Sequence, residues 1–299
     1  TMNLLRSVVA FVLLAAAAAL GVGGAVAQWA DRAARTPGPM REIVAPITHF
    51  ETTRSALAGV LTERAVSEIP TIAEAVPGLT GLIEGLISDA VAATLDDPGV
   101  DRAWIAALDS TRAGVVADIE GYDGGTPPTL WFDLAPFVDL AKAKLISAAP
   151  DRLAPFVEEI SWTTELRTPL VRLDPDQTDL AANALRWSSR WAWFYAGAAV
   201  LAVAGLVVGP RRGRWVTLLV VGLLTAAGLA ATLWWLGRMP LPSGSGIGPA
   251  LVGALAEGGL SHLTDWLRPS VYVALGAAGL GAVGALLARP RASATKRKR

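Results

Sequence analysis

Four long apolar runs alternate with charged stretches along the chain. Three of them contain no Asp, Glu, Lys, Arg or His: Trp191 to Gly209, Trp215 to Gly237 and Ser270 to Ala288, with 19, 23 and 19 residues. A fourth run of 21 uncharged residues, Ser7 to Ala27, lies near the N-terminus. A helix needs about 20 apolar residues to cross the hydrocarbon core of a bilayer. The pattern therefore predicts four transmembrane helices.

The first run has two interpretations. Ala25-Val26-Ala27 before Gln28 has the small-x-small pattern of a signal-peptide cleavage site. The uncharged run is longer than the apolar core of a signal peptide, which usually has about 7 to 15 residues. We therefore expect a retained anchor. Its glycines have two interpretations: they weaken the helix before a cleavage site, or they form a small-residue face against glycines of the last span. The two sets are Gly21, Gly23 and Gly24, and Gly276, Gly279, Gly281 and Gly284.

The segment between the first two spans has the shorter periodicities of a folded domain. Apolar residues at helical spacing predict helices over 55–69 and 79–95, and Asp97-Pro98 predicts the start of a third that ends near Gly121. The residues expected on the buried face of the third helix are Val100, Trp104, Leu108, Val115 and Ile119.

Strands and helices alternate in the rest of that segment. Short apolar stretches predict strands over 129–133, 157–163 and 170–173, and a helix over 136–148. Asp174-Pro175 repeats the capping residue and first-turn proline of a helix start. Because no helix breaker follows before Val208, we expect one continuous helix over 176–208.

The predicted fold class is a mainly α membrane protein with four transmembrane helices plus an extracytoplasmic α+β domain with a small sheet. The four transmembrane helices are predicted over 1–29, with a cytoplasmic N-terminus, and over 188–209, 215–237 and 270–288. Two segments are predicted outside the cytoplasm: the domain over 30–187, and a loop with an amphipathic helix over 238–269. Two are predicted in the cytoplasm: a turn over 210–214 and a basic tail over 289–299.

Charge gives the direction of the spans. The net charge is zero, yet segment 30–187 holds 24 of the 26 acidic residues and 13 of the 26 basic ones. Basic clusters occupy the turn over 210–214 and the tail over 289–299. Basic flanks favour the cytoplasmic side, so we expect a multi-pass protein of the plasma membrane with segment 30–187 outside. An acidic domain also argues against a nucleic-acid partner, because phosphate-binding surfaces are basic.

Chemistry-bearing residues are few. The chain has no cysteine and only two histidines, His49 and His262, and we expect neither to be catalytic or metal-binding. Asp174, Asp176 and Asp179 resemble a fragment of a calcium loop but lack its glycine and final glutamate. These three residues fit the N-terminus of a helix better, where the helix dipole favours acidic side chains. The adjacent acid pairs Asp96-Asp97 and Glu158-Glu159 are expected on the solvated surface. We therefore assign no catalytic, cofactor-binding or metal site.

Two stretches carry a resemblance to a known family. They are LDDPGVDRAWIAALDSTRAGVVADIEG, residues 95–121, and LWFDLAPFVDLAKAKL, residues 130–145. With the layout of the spans, they resemble actinobacterial four-span integral membrane proteins of unknown function, which have an extracytoplasmic domain between the first and second spans. The resemblance implies an envelope role and no particular activity.

The sequence thus favours a non-enzymatic integral membrane protein of the cell envelope. Its acidic domain is expected to bind or scaffold a membrane or envelope protein or another envelope component, and its spans to contact bilayer lipid. The small-residue helix faces would also allow two copies of the chain to associate, and the sequence does not decide whether they do. Two alternatives are a carboxylate-dependent extracytoplasmic enzyme that acts on cell-wall or lipid substrate, and an accessory in envelope lipid transport. Because the spans lack Asp, Glu, Arg and His, an ion or proton pathway through them is not expected.

Overall fold

The computed structural model describes residues 2–44, 58–59, 85, 89, 91–148, 167–210, 213–238 and 247–288. Helices dominate these ranges. The helices are α1 (Met2–Arg35), α2 (Pro37–Val44), α3 (Val100–Glu120), α4 (Ala135–Ala148), α5 (Pro175–Ser188), α6 (Trp191–Val208), α7 (Gly213–Leu236) and α8 (Ile247–Leu287), and the strands are β1 (Thr129–Asp133) and β2 (Arg167–Arg172). The helices predicted over 55–69 and most of 79–95, the strand over 157–163, His49 and the Glu158-Glu159 pair lie outside the described residues.

The chain divides into two compact units. One combines Thr1–Asp31, Arg186–Met239 and Leu260–Arg299, and we call it the bundle. The other combines Arg32–Leu185 with Pro240–Gly259, and we call it the domain.

Three aromatic rings form the centre of the domain. Trp104 on α3 lies 5.6 Å from Phe132 on β1 and 5.7 Å from Phe137 on α4, measured between ring centroids. All three are almost fully buried, as are Leu134 and Ala107. Of the five predicted inward positions, Trp104, Leu108 and Ile119 are buried, whereas Val100 and Val115 are half-buried, so the predicted face of α3 is confirmed at three of its five positions.

The two strands form an antiparallel sheet. Trp131 pairs with Pro169 and Phe132 with Thr168, and an irregularity in the register lies between Leu130 and Trp131. Phe132 points into the core while Trp131 is exposed, so the strand alternates as a half-buried strand should. Within the described ranges this is a two-stranded sheet, and the predicted α+β character of the domain holds for them.

Of the two helix starts predicted from an Asp-Pro pair, one lies where it was predicted and one lies later. The backbone N–H and the hydroxyl of Thr178 both donate to the carbonyl oxygen of Asp174, each at 2.9 Å, and Pro175 is the first residue of α5. This confirms the start predicted at Asp174-Pro175. α3 begins at Val100, later than predicted, because Asp97 and Pro98 form a turn in which the Asp97 carboxylate accepts the N–H of Gly99.

The continuous helix predicted over 176–208 is wrong. α5 ends at Ser188, Ser189 and Arg190 form a turn, and α6 begins at Trp191. The Ser189 hydroxyl donates to the carbonyl oxygen of Arg186 at 2.9 Å, and the Arg190 N–H donates to that of Trp187 at 3.0 Å. A pair of serines offers the backbone such alternative bonds, and helices commonly kink or break there.

Four helices are long and apolar enough to span a membrane. They cover Leu4–Arg35, Trp191–Val208, Gly213–Leu236 and Leu255–Leu287, and large apolar side chains on their outer faces are exposed. The chain is therefore described as a multi-pass membrane protein. α8 joins the amphipathic segment expected before the fourth span to that span in one helix of 41 residues, which continues through Pro269.

Candidate functional site

An apolar cavity of about 520 Å³ lies among the four helices of the bundle. Its walls come from α1, α6, α7 and α8, and half of its lining positions are glycine or alanine. These small residues are Ala17, Ala18, Gly21, Ala198, Ala199, Ala202, Gly222, Ala274 and Ala277. Their side chains are too short to fill the space between the helix backbones, so the helices meet at the edges of the cavity and leave its centre open.

Close helix contacts hold the walls in place. Gly205 of α6 lies against Leu14 of α1, and a Cβ atom added to it would approach the Leu14 side chain to 2.9 Å. Gly24 of α1 lies in the same way against Phe194 and Tyr195 of α6, at 3.2 Å. α1 and α6 therefore run antiparallel in contact, with glycines where their backbones approach most closely.

The second close pair is α7 with α8. A Cβ atom on Gly222 would lie 2.8 Å from the carbonyl oxygen of Ala274, and one on Gly281 would lie 2.5 Å from the backbone nitrogen of Leu219. Gly284 faces the Trp215 ring. These approaches leave no room for any side chain at the three glycines.

These contacts correct the predicted pairing of glycines between the first and last spans. Gly24 packs on Phe194 and Tyr195 of α6, whereas Gly281 and Gly284 pack on α7. Gly21, Gly276 and Gly279 have no atom within 4 Å of an added Cβ. The bulky aromatic side chains of α6 provide the complementary surface for Gly24, and nothing in the glycine spacing alone identifies that partner.

The polar groups of the cavity wall are hydroxyls. They belong to Tyr195 on α6, Thr225 on α7 and Ser270 on α8. Thr217, Thr232 and Thr264 each donate a hydrogen bond to the carbonyl oxygen four residues earlier, at 2.8 to 2.9 Å, as helical threonines do in apolar surroundings. In the part of the chain that the structure describes, Thr225 and Ser270 form no such bond.

Pro269 adds a backbone acceptor beside the cavity. It lies inside α8 and lines the wall next to Ser270. Proline has no N–H, so the carbonyl oxygen of Asp265, four residues earlier, loses its helical donor.

A polar network lies at one end of the bundle. We call this end of the bundle the aromatic end. The indole N–H of Trp29 donates to Nδ1 of His262 at 3.0 Å, and that of Trp266 donates to the carbonyl oxygen of Ala25 at 3.1 Å. The hydroxyl of Tyr195 donates to the side-chain oxygen of Gln28 at 3.2 Å. His262 is thus a structural hydrogen-bond acceptor between α8 and α1.

A second apolar space of about 580 Å³ separates α1 from α7. It shares Ala18, Val22, Val221 and Thr225 with the first cavity, so the same residues form the partition between the two. All its other lining residues belong to α1 and α7. Along this stretch, α1 and α7 are therefore held in place mainly by their contacts with α6 and α8.

The acidic candidates of the domain do not converge into a metal site. Among the described residues no group of three or more potential ligands is close enough to hold a metal ion. Asp97 forms an ion pair with Lys144 and accepts the Gly99 N–H, and these contacts hold the pKa of its carboxyl below the ordinary value of 3.8. Its neighbour Asp96 also has a partner.

Asp176 and Asp179 lie near the loop after α3. Partial desolvation raises the pKa of the Tyr122 hydroxyl, and the charges of Asp179, Asp123 and Asp176 raise it further. The three carboxylates therefore act on Tyr122 as neighbouring negative charges. Sequence reasoning missed this proximity, because the loop and α5 are more than fifty residues apart.

Sequence reasoning also missed the bundle cavity. The available signal was the run of alanines and glycines at matching depths in all four spans, but small residues equally allow close packing. Comparison of the chain with protein-family models, curated proteins and solved structures finds no match.

Proposed function

We propose that this chain is a non-enzymatic, multi-pass protein of the plasma membrane whose acidic segment 30–187 lies outside the cytoplasm and binds a protein or another envelope component. We also propose that it belongs with the actinobacterial four-span proteins that it resembles. The charge distribution supports the direction, since acidic residues concentrate between the first two spans and basic residues follow the second and fourth.

The outward face of the two-stranded sheet carries the binding role. Trp131 on that face is 40% exposed, whereas Phe132 and Thr168 on the opposite face are 1% and 8% exposed. Val171, two residues after Pro169 along β2, is 37% exposed and pairs with Leu130 beyond the irregularity. Pro169, the partner of Trp131, is also exposed. Exposed tryptophan is enriched where proteins bind one another. The net negative charge of the segment favours a partner with a basic surface.

Ion pairing supports binding rather than catalysis. Glu120 pairs with Arg35 at 2.6 Å, Asp109 pairs with Arg41 at 2.5 Å, and Asp97 pairs with Lys144. These carboxylates connect elements of the domain and are each neutralised by a base. Glycoside hydrolysis instead needs two carboxylates that face each other across a cleft, whereas these three are each engaged with a basic side chain.

One experiment tests the direction and the binding face together. The chain has no cysteine, so Val171→Cys introduces one thiol at the exposed sheet face. A membrane-impermeant maleimide that carries a photo-crosslinker is added to intact cells. We expect the thiol to react without lysis and, after illumination, to give a discrete adduct that decreases at high salt.

Two matched variants complete the experiment. Ser293→Cys, in the basic tail, should react only after permeabilisation, and Asp118→Cys, on the exposed side of α3, should react in intact cells without giving the adduct. Reaction of the tail thiol alone in intact cells contradicts the proposed direction. Equal adducts from Val171→Cys and Asp118→Cys contradict the binding face.

A further inference from the structure

The bundle cavity is open on one side. Its most exposed lining residues are Val273, which is 72% exposed, with Pro269, Ala199 and Tyr195. All four lie on α6 or α8, while the lining residues of α1 and α7 are buried or half-buried. The opening therefore lies between α6 and α8, and α1 with α7 forms the back wall.

The opening faces hydrocarbon. Val200 and Val203 of α6 and Leu280 of α8 are each more than 60% exposed, and they belong to helices that are apolar enough to span a bilayer. Water does not fill an apolar cavity that offers it few polar partners. The molecules that meet the opening are the acyl chains of the surrounding lipids.

Polar groups are concentrated toward one end of the cavity. Trp266 contacts Ala25, so along the antiparallel α1 and α8 Ser270 lies near the level of Gly21, and Ala277 near that of Leu14. Tyr195 and Ser270 therefore lie toward the aromatic end, with Thr225 about a turn below, while the far end is lined by Leu14, Leu218 and Ala277. An amphiphile with one polar end matches this gradient.

We propose that the cavity holds one acyl chain of a membrane phospholipid, which enters between α6 and α8. Its ester region lies at Ser270, whose hydroxyl, unlike hydrocarbon, donates a hydrogen bond to an ester oxygen. The volume of about 520 Å³ falls within the ~300–1,000 Å³ of ligand pockets. No charged side chain lines the wall, so recognition concerns the chain and its ester rather than a particular headgroup. This site is independent of the proposed binding face on the domain.

Gly21→Leu tests the proposal with minimal disturbance. Gly21 lines the cavity and has no atom within 4 Å of an added Cβ, so a leucine side chain there starts without a clash at its Cβ and takes up space at the cavity wall. Gly276→Leu is the matched control, because Gly276 is equally unobstructed and lies on the exposed surface of α8 outside the cavity lining. The full chain and both variants are reconstituted into nanodiscs of phosphatidylglycerol and phosphatidylcholine.

Native mass spectrometry then measures the lipid that each chain retains. We expect one tightly held phospholipid per chain for the unmodified protein and for Gly276→Leu, and at least threefold less for Gly21→Leu. Apparent melting temperatures in detergent provide a second readout: added phospholipid should raise that of the unmodified chain and leave that of Gly21→Leu nearly unchanged. Equal retention by all three proteins overturns the proposal, as does a retained mass that corresponds to free fatty acid.

Discussion

Trp104, Phe132 and Phe137 depend on one another for burial. Each ring fills space against the other two, at centroid distances of 5.6 to 6.5 Å. Truncation of a buried aromatic residue to alanine removes these contacts and leaves a cavity, which costs about 3–5 kcal/mol.

We expect Phe132→Ala to lower the free energy of unfolding of the domain by that amount. The neighbouring Trp131→Ala is the control, because the Trp131 side chain is partly exposed and should cost about 1 kcal/mol or less. Denaturant titration of the full chain in detergent, followed by circular dichroism, measures both. Similar losses for the two variants would contradict the assignment of the inner and outer faces of β1.

Asp97 makes the stability of the domain depend on pH. Its hydrogen-bonded ion pair with Lys144 and its bond from the Gly99 N–H lower its folded-state pKa below 3.8. A lowered carboxyl pKa means that ionisation favours the folded state. The stabilisation is complete well above pH 3.8 and is lost as the pH falls through the lower, folded-state value.

The corresponding variant is Asp97→Asn, which retains an oxygen that accepts the Gly99 N–H but removes the charge. We expect its apparent melting temperature to be lower than that of the unmodified chain at pH 7. The difference should narrow as the pH falls from about 5 to below the folded-state pKa. Asp118→Asn, at an exposed position of α3 where the described residues provide no ion pair, should show no such convergence. A difference that is constant over this pH range excludes the role given to the Asp97 charge.

At the scale of elements, α7 and α8 contact each other through backbone atoms. Gly281 is buried against the backbone of Leu219, so any larger residue forces the helices apart. Overpacking of this kind typically costs about 1–3 kcal/mol.

We expect Gly281→Leu to reduce the folded fraction of the bundle markedly. Gly279→Leu, two residues earlier with open space at its Cβ position, should leave it nearly unchanged. Resistance to denaturing detergent and size-exclusion profiles of the purified variants measure the difference. If both substitutions are tolerated equally, the α7–α8 register described above is wrong.

The elements differ in how far the sequence determines them. Uncharged length predicts the four spans, because the thickness of the bilayer fixes the length a helix needs. Capping predicts the start of α5, because Asp174 and Pro175 act locally. The break after Ser188 was not predicted, since a serine pair is compatible with a helix and only the alternative bonds in the folded chain favour the turn.

At the scale of the whole molecule, the sequence predicts which segments are spanning helices better than it predicts which of their residues contact each other. Both Gly24 and Gly281 were recognised as packing residues, yet their partners depend on the rotation and depth of each helix. The cavity is harder still to predict, because it exists where alanines from four helices fail to meet. The residue pattern of one helix alone cannot predict a cavity that four helices form together.

That unfilled space gives the bundle a mechanical property. Hydrostatic pressure favours states of smaller volume, and the volume change on unfolding scales with the internal voids that unfolding removes. The bundle has two partly open spaces of about 520 and 580 Å³, and the more completely an occupant fills them, the stiffer the bundle is to compression. The lateral pressure of the surrounding bilayer thus acts on the separation of α6 from α8, and the protein's compressibility becomes a measure of its occupancy.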